Sequence, residues 1–275
     1  MTPQEAGAIL SPVHRQALKT AFVMLERPDF AARVGDLAGK PVRNALRVSP
    51  RLEARVTRAV EGALQRALEA AVRSLEPGPG RGAINASFAL AGAGGAVSGF
   101  FGGGALALEL PLTTVLILRA IAEVARRHGE DLSRLETRME CVSVLGLSAR
   151  ARDEGPDVGY FAARAALGRL VANASSALVE RGAAAASAPA IGALTTAVAP
   201  RFGVVVSERA AASALPALGA LGGATLNMLF VRHFQRAAHG HFTIRRLERR
   251  YGPEVVQAYY CGLKFAKRPA RASLS

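Results

Sequence analysis

Aromatic residues make up only 5% of this 275-residue chain, and tryptophan is absent. A core built under that limit draws on Ala, Leu, Val and Gly, which suit close helix–helix contact better than an aromatic-rich sandwich. With two cysteines, Cys141 and Cys261, a disulfide framework is excluded. Their apolar surroundings read as those of buried, reduced thiols. No basic stretch followed by an apolar one opens the sequence, so no secretory signal is visible and a cytoplasmic setting is expected. Convincing runs of alternating Thr, Val and aromatic residues are lacking too. The expected class is therefore all-α: a compact multi-helix domain with Gly-rich, tightly packed central helices.

Acidic residues are also in deficit, with 21 against 35 Lys and Arg, for a net charge of +14. That favours acidic partners. No RNP motif or zinc knuckle accompanies the charge, which disfavours nucleic acid. HExxH, CxxC and GxSxG are all missing, so neither a common zinc site nor a serine hydrolase is signalled, and no cofactor is implied.

Charge is wholly absent from Ala83 to Leu108, a stretch that holds AGAGGAVSGFFGGGALAL. It does not cradle a phosphate. The dinucleotide fingerprint fails because Val97 stands where the third glycine belongs, and a P-loop fails because Phe100 and Phe101 replace its Lys and Ser/Thr. What fits is spacing by four: Ala91, Gly95, Gly99, Gly103 and Ala107 form a small-residue stripe, echoed by Gly219 and Gly223. Glycine inside a helix costs about 1 kcal/mol relative to alanine, so such a stripe calls for a close neighbour. Its length suffices to span a bilayer, but Ala, Gly and Ser contribute little to insertion. Tight packing is the leading reading, with a membrane hairpin and a flexible loop as alternatives.

The rest divides into helical patterns. One helix is expected over about 4–25, and then a connection to Pro50. A basic amphipathic helix follows, with Val56, Val60, Ala63 and Leu64 on its apolar side, ending at the linker EPGPGRG. Further helices are expected at 112–128, 132–148 and 157–181, with Pro111 at the first position of the earliest and Gly129 as its stop. The uncharged stretches Gly182–Pro200 and Ala210–Val231 are each interrupted by a proline. The C-terminal stretch reads as two or three short helices, with Gly252 ending one and Pro253 starting the next. In domain terms, 1–50 is an N-terminal helix and linker, 51–262 the helical domain, and 263–275 a basic, disordered tail.

Three groups of side chains are candidates for function. Arg119 and Glu123 share one face of the 112–128 helix with Leu112, Val115 and Leu116, and with Glu109, Glu136 and Glu140 they form a candidate buried charge network. His233, His239 and His241 cluster, but they read as surface or capping histidines before metal ligands. Arg232, Arg236, Arg245, Arg246, Arg249 and Arg250 sit among interleaved aromatics and are candidates to face lipid.

The order of several segments resembles the EcsC-type proteins of bacteria. They are GKPVRNALRVSP, LELPLTTVLILRAIAEVARRHGED, ETRMECVSVLGL and LGALGGATLNMLFVRHFQRAAHGHFTIRRLERRYG, together covering roughly 15–262. The resemblance implies a helical, membrane-associated architecture with no catalytic residue to carry over. The expected role is an accessory or interaction protein at the inner face of the cell membrane, linked to transport or secretion machinery, with an anionic membrane surface or a membrane protein as partner. The alternatives are a soluble hydrolase with a carboxylate and histidine site, and a lipid-handling or pore-forming protein using the glycine-rich helices.

Overall fold

Proline and glycine set most helix boundaries. A computed structural model describes residues 1–26, 30, 34, 54, 56–64, 106–148, 159–181, 183–213 and 223–266, without the side chains of 106–112, 174–175, 177–191, 213, 223–225 and 265–266. Among the described residues the secondary structure is entirely helical. The elements are α1 (Pro3–Ile9), α2 (Pro12–Glu26), α3 (Leu106–Arg127), α4 (Leu135–Leu147), α5 (Tyr160–Arg181), α6 (Ala183–Ser213), α7 (Gly223–Tyr251) and α8 (Pro253–Ala266), with further helical residues at 56–64.

The single helix expected over 4–25 is two. Leu10 is extended at φ −77° and ψ 134°, and Ser11 precedes a proline, which disfavours the helical region there. Thr2 and Glu5 close a capping box on α1, and the Ser11 hydroxyl accepts the His14 amide at 3.3 Å to start α2. Pro111 does not start α3, which begins at Leu106 because the apolar run upstream carries the helix back. At the other end, Gly129 adopts φ +79°, and amide bonds from Gly129 to Arg126 and from Glu130 to Ala125 complete a Schellman stop. Gly252, at φ +88°, ends α7 one residue before Pro253 starts α8.

Helix α6 runs through Pro189, so the proline of that uncharged stretch does not interrupt it. The C-terminal stretch forms two helices divided at Gly252 and Pro253, as expected, though the first is the end of a longer helix, the 29-residue α7. Gly240 keeps its place inside α7 because α2 crosses there: a Cβ on it would lie 2.7 Å from Leu25 Cγ. Similar close approaches occur at Gly203, against Thr57, and at Gly262, against Pro3.

Helix α7 is the hub, packed on α2, α3, α4, α6 and α8. Helices α4, α5 and α6 pack on one another, while α1 lies on α8. The scarce aromatics concentrate along this hub. Phe30, Phe230, Phe234 and Phe202 form a chain of edge contacts with centroids 5.2–5.7 Å apart. Tyr160, Phe161, Tyr260 and Phe22 form a second cluster. In 56–64 the buried residues are Val56, Val60, Ala63 and Leu64, the apolar stripe read from sequence. Helix α8 continues to Ala266, four residues into the stretch assigned to a tail.

Candidate functional site

The convergence of polar side chains lies between α4, α5, α7 and the α3–α4 turn. Cβ direction on a helix brings residues three to five apart to one side, so His241, Arg245, Glu248 and Arg249 of α7 all reach toward these neighbours. Arg245 Nη1 donates to Glu140 Oε1 at 3.0 Å, and its Nε donates to Glu130 Oε1 at 3.1 Å. Arg249 donates to Glu130 and to the His128 carbonyl. Arg164 of α5 holds Glu248 through two bonds, 2.6 and 2.7 Å. Three carboxylates thus face three guanidiniums, and the charges balance.

Glu140 is the best shielded of the sequence candidates. Burial pushes its carboxyl pKa upward, but the His241 contact and the charges of His241, Arg245 and Arg164 outweigh that and bring it down to about 2. Its Oε2 lies 3.2 Å from His241 Nε2, and Ser143 Oγ donates to it at 3.2 Å. His241 is fully buried, and burial holds its pKa below the usual histidine value despite Glu140. A neutral ring beside a carboxylate carries its proton on Nε2, so Nδ1 accepts from the Tyr160 hydroxyl 2.9 Å away. His241 thus stands between two partners, in contact with Glu140 on one side and hydrogen-bonded to Tyr160 on the other. Tyr160 is itself buried, and burial raises its phenol pKa. All three side chains are buried, and they join α4, α5 and α7.

The other members of the expected network are elsewhere. Arg119 is exposed, and Glu123 pairs with Arg126 and Arg127 instead, at 2.9 and 3.1 Å on an open surface. Glu136 pairs with Arg134, likewise in solvent. The buried face of α3 is the opposite one, carrying Thr114, Ile117, Ile121, Val124 and Ala125. Glu109 and Ala107 lie in α3 and Gly223 in α7, with side-chain surroundings outside the description, while Ala91, Gly95, Gly99, Gly103 and Gly219 lie outside the described residues altogether. No helix of the described residues is long and apolar enough to cross a membrane.

Of the two readings, surface or capping, His233 takes the second: it is buried with Nε2 2.9 Å from the Ser148 carbonyl at the end of α4. His239 Nδ1 sits 3.2 Å from His128 Nε2. Burial, with Arg246 and His239 next in weight, lowers the His128 pKa to about 4; burial and Arg127 lower that of His239. Among the described residues no group of three or more His, Cys, Asp and Glu is placed to hold a metal ion. Cys141 is buried, which pushes its thiol up to about 12; Cys261 is half-buried.

The six arginines of α7 fall into two sets. At 100° per residue, Arg232, Arg236, Arg246 and Arg250 occupy an arc of about 80° along about 27 Å of helix, and all four are exposed. Arg245 and Arg249 point the other way, into Glu130. The outer stripe adjoins the end of α3, since Arg246 bears on His128 and Arg127 on His239.

Sequence reasoning missed Glu130, Tyr160, Arg164 and Glu248. Glu130 carried one local signal, a carboxylate just after a helix-stopping glycine; the others are joined to partners 81 or more residues away. Among curated proteins and solved structures, nothing matches the chain. The EcsC protein family model matches residues 49–247, from just before the 56–64 helix to near the end of α7. The chain belongs to the EcsC protein family.

Proposed function

We propose that this EcsC-family chain is a helical accessory protein that docks on the anionic inner face of a cell membrane, serving transport or secretion machinery without a reaction of its own. The observation that carries the reading is the exposed arginine stripe, Arg232, Arg236, Arg246 and Arg250, on one side of α7. Each arginine near an anionic surface contributes about 1 kcal/mol, and a rigid helix presents four at once. The enclosure of Glu140, His241 and Tyr160 supports binding over catalysis, because a reacting pair needs a route for its substrate.

Cosedimentation with phosphatidylglycerol-containing vesicles tests this. Wild type should pellet with anionic vesicles, not with phosphatidylcholine alone, and release at high salt. The double substitution Arg232→Glu and Arg236→Glu should weaken binding by at least roughly tenfold. Equal binding to neutral vesicles, or an unchanged double variant, would remove the basis for the proposal.

A further inference from the structure

A second surface lies where α1 and α2 meet α8. Between them is an open cavity of about 810 Å³, within the range of small-ligand sites. Its shape depends on two glycines. A Cβ on Gly7 would meet the Tyr259 ring at 3.2 Å, and one on Gly262 would lie 2.5 Å from Pro3. Their absence lets α1 settle onto α8 and leaves Tyr259 and Leu263 as the floor.

The walls are unequal in charge. Arg15 and Lys19, one turn apart on α2, line the cavity, together with Gln4 and Gln16, and no carboxylate lines it. Arg15 uses one of its five guanidinium protons on the Gly7 carbonyl, 3.1 Å away, which fixes the side chain at the rim with the others left to donate. On α2, Pro12, Gln16, Lys19 and Val23 follow a single helical row about 17 Å long. Val23, at the far end of this row, is 39% exposed but does not line the cavity.

We propose that this groove binds a single-chain amphiphilic anion, its carboxylate or phosphate head held by Arg15 and Lys19 and its tail laid over Tyr259 and Leu263. A guanidinium beside an ammonium meets a small oxyanion with charge-assisted hydrogen bonds. The Tyr259 ring and the Leu263 side chain, in the same lining, suit an acyl chain. The groove is independent of the arginine stripe of α7.

The full-length protein is titrated with laurate below its micelle concentration by calorimetry, in parallel with dodecanol and with acetate. Laurate should bind saturably and the two comparators much more weakly. Lys19→Glu, at an exposed position that leaves folding intact, should weaken laurate by roughly tenfold or more. Arg232→Glu with Arg236→Glu should leave laurate affinity unchanged while vesicle binding falls, which separates this site from the membrane face. Three results would overturn the proposal: dodecanol binding as tightly as laurate, Lys19→Glu without effect, or binding to intact vesicles with none to monomeric laurate.

Discussion

Gly240→Ala tests the central crossing of the fold. The added methyl would sit 2.7 Å from Leu25 Cγ and 3.1 and 3.2 Å from its two Cδ atoms. Carbon atoms in contact settle at about 3.5–4.0 Å, so either Leu25 turns or α7 moves off α2 by close to an ångström. Leu25 is buried, and a Cγ is near the root of its side chain, so rotation gives little relief. Overpacking of this kind costs about 1–3 kcal/mol. Against it stands the gain of about 1 kcal/mol from replacing glycine by alanine inside a helix. Gly168→Ala isolates that gain: Gly168 lies within α5, and nothing comes within 4 Å of its added Cβ. Because the helix-propensity term is shared, the difference between the two variants reports packing alone. Urea unfolding should place Gly168→Ala above wild type by about 0.5–1 kcal/mol, and Gly240→Ala about 1–3 kcal/mol below Gly168→Ala. In a Leu25→Ala background the Gly240→Ala penalty should largely vanish. If Gly240→Ala is as stable as Gly168→Ala in the wild-type background, the close approach of α2 and α7 is not what holds this helix pair.

The ion network gives a matched pair as well: Glu140→Gln strips a shielded acceptor from Arg245 and His241 and should cost roughly 2–4 kcal/mol, whereas Glu123→Gln breaks exposed pairs and should cost about 0–1 kcal/mol by the same denaturant measurement. Equal costs would mean that Glu140 is not the buried keystone its contacts describe. His128 supplies the pH dependence. Its pKa is lowered from 6.5 to about 4 in the fold, so the unfolded chain takes up the proton first, and the stability this site contributes is present above 6.5 and lost as pH falls toward about 4. Relative to wild type, His128→Gln should therefore gain stability as pH falls from 6.5 to 4, by about 1 kcal/mol once solvent screening of this half-buried ring is allowed for; a stability difference that does not move with pH would refute the assignment.

The helical class was readable because Pro253, Gly252 and Gly129 punctuate the chain with local physics that needs no neighbour. The apolar stripe of 56–64 was readable for the same reason. A local rule misled at Pro189, which sits inside α6 at a cost that propensity scales would forbid. The charge network was half legible. Glu140 was among the candidates, but proximity in sequence paired Arg119 with Glu123, where the fold joins Glu140 to Arg245 across 105 residues. A helix that is apolar nearly all round offers no rule for which side is buried, and α3 buries the side opposite to its arginine.

The run RRLERR, residues 245–250, shows why composition alone could not separate structure from interaction. Neighbouring residues on a helix diverge by 100°, so each arginine pair must split. Arg245 and Arg249 turn inward to Glu130, while Arg246 and Arg250 turn outward in line with Arg232 and Arg236. The inward pair holds the outward pair at fixed azimuth, because α7 cannot rotate without breaking the Arg245 bonds to Glu130 and Glu140 and the Arg164 bonds to Glu248. A preset row of charges loses less freedom on meeting a surface than a flexible basic tail does. Loosening the inner pairs should therefore weaken the outer face even though none of its four arginines is touched.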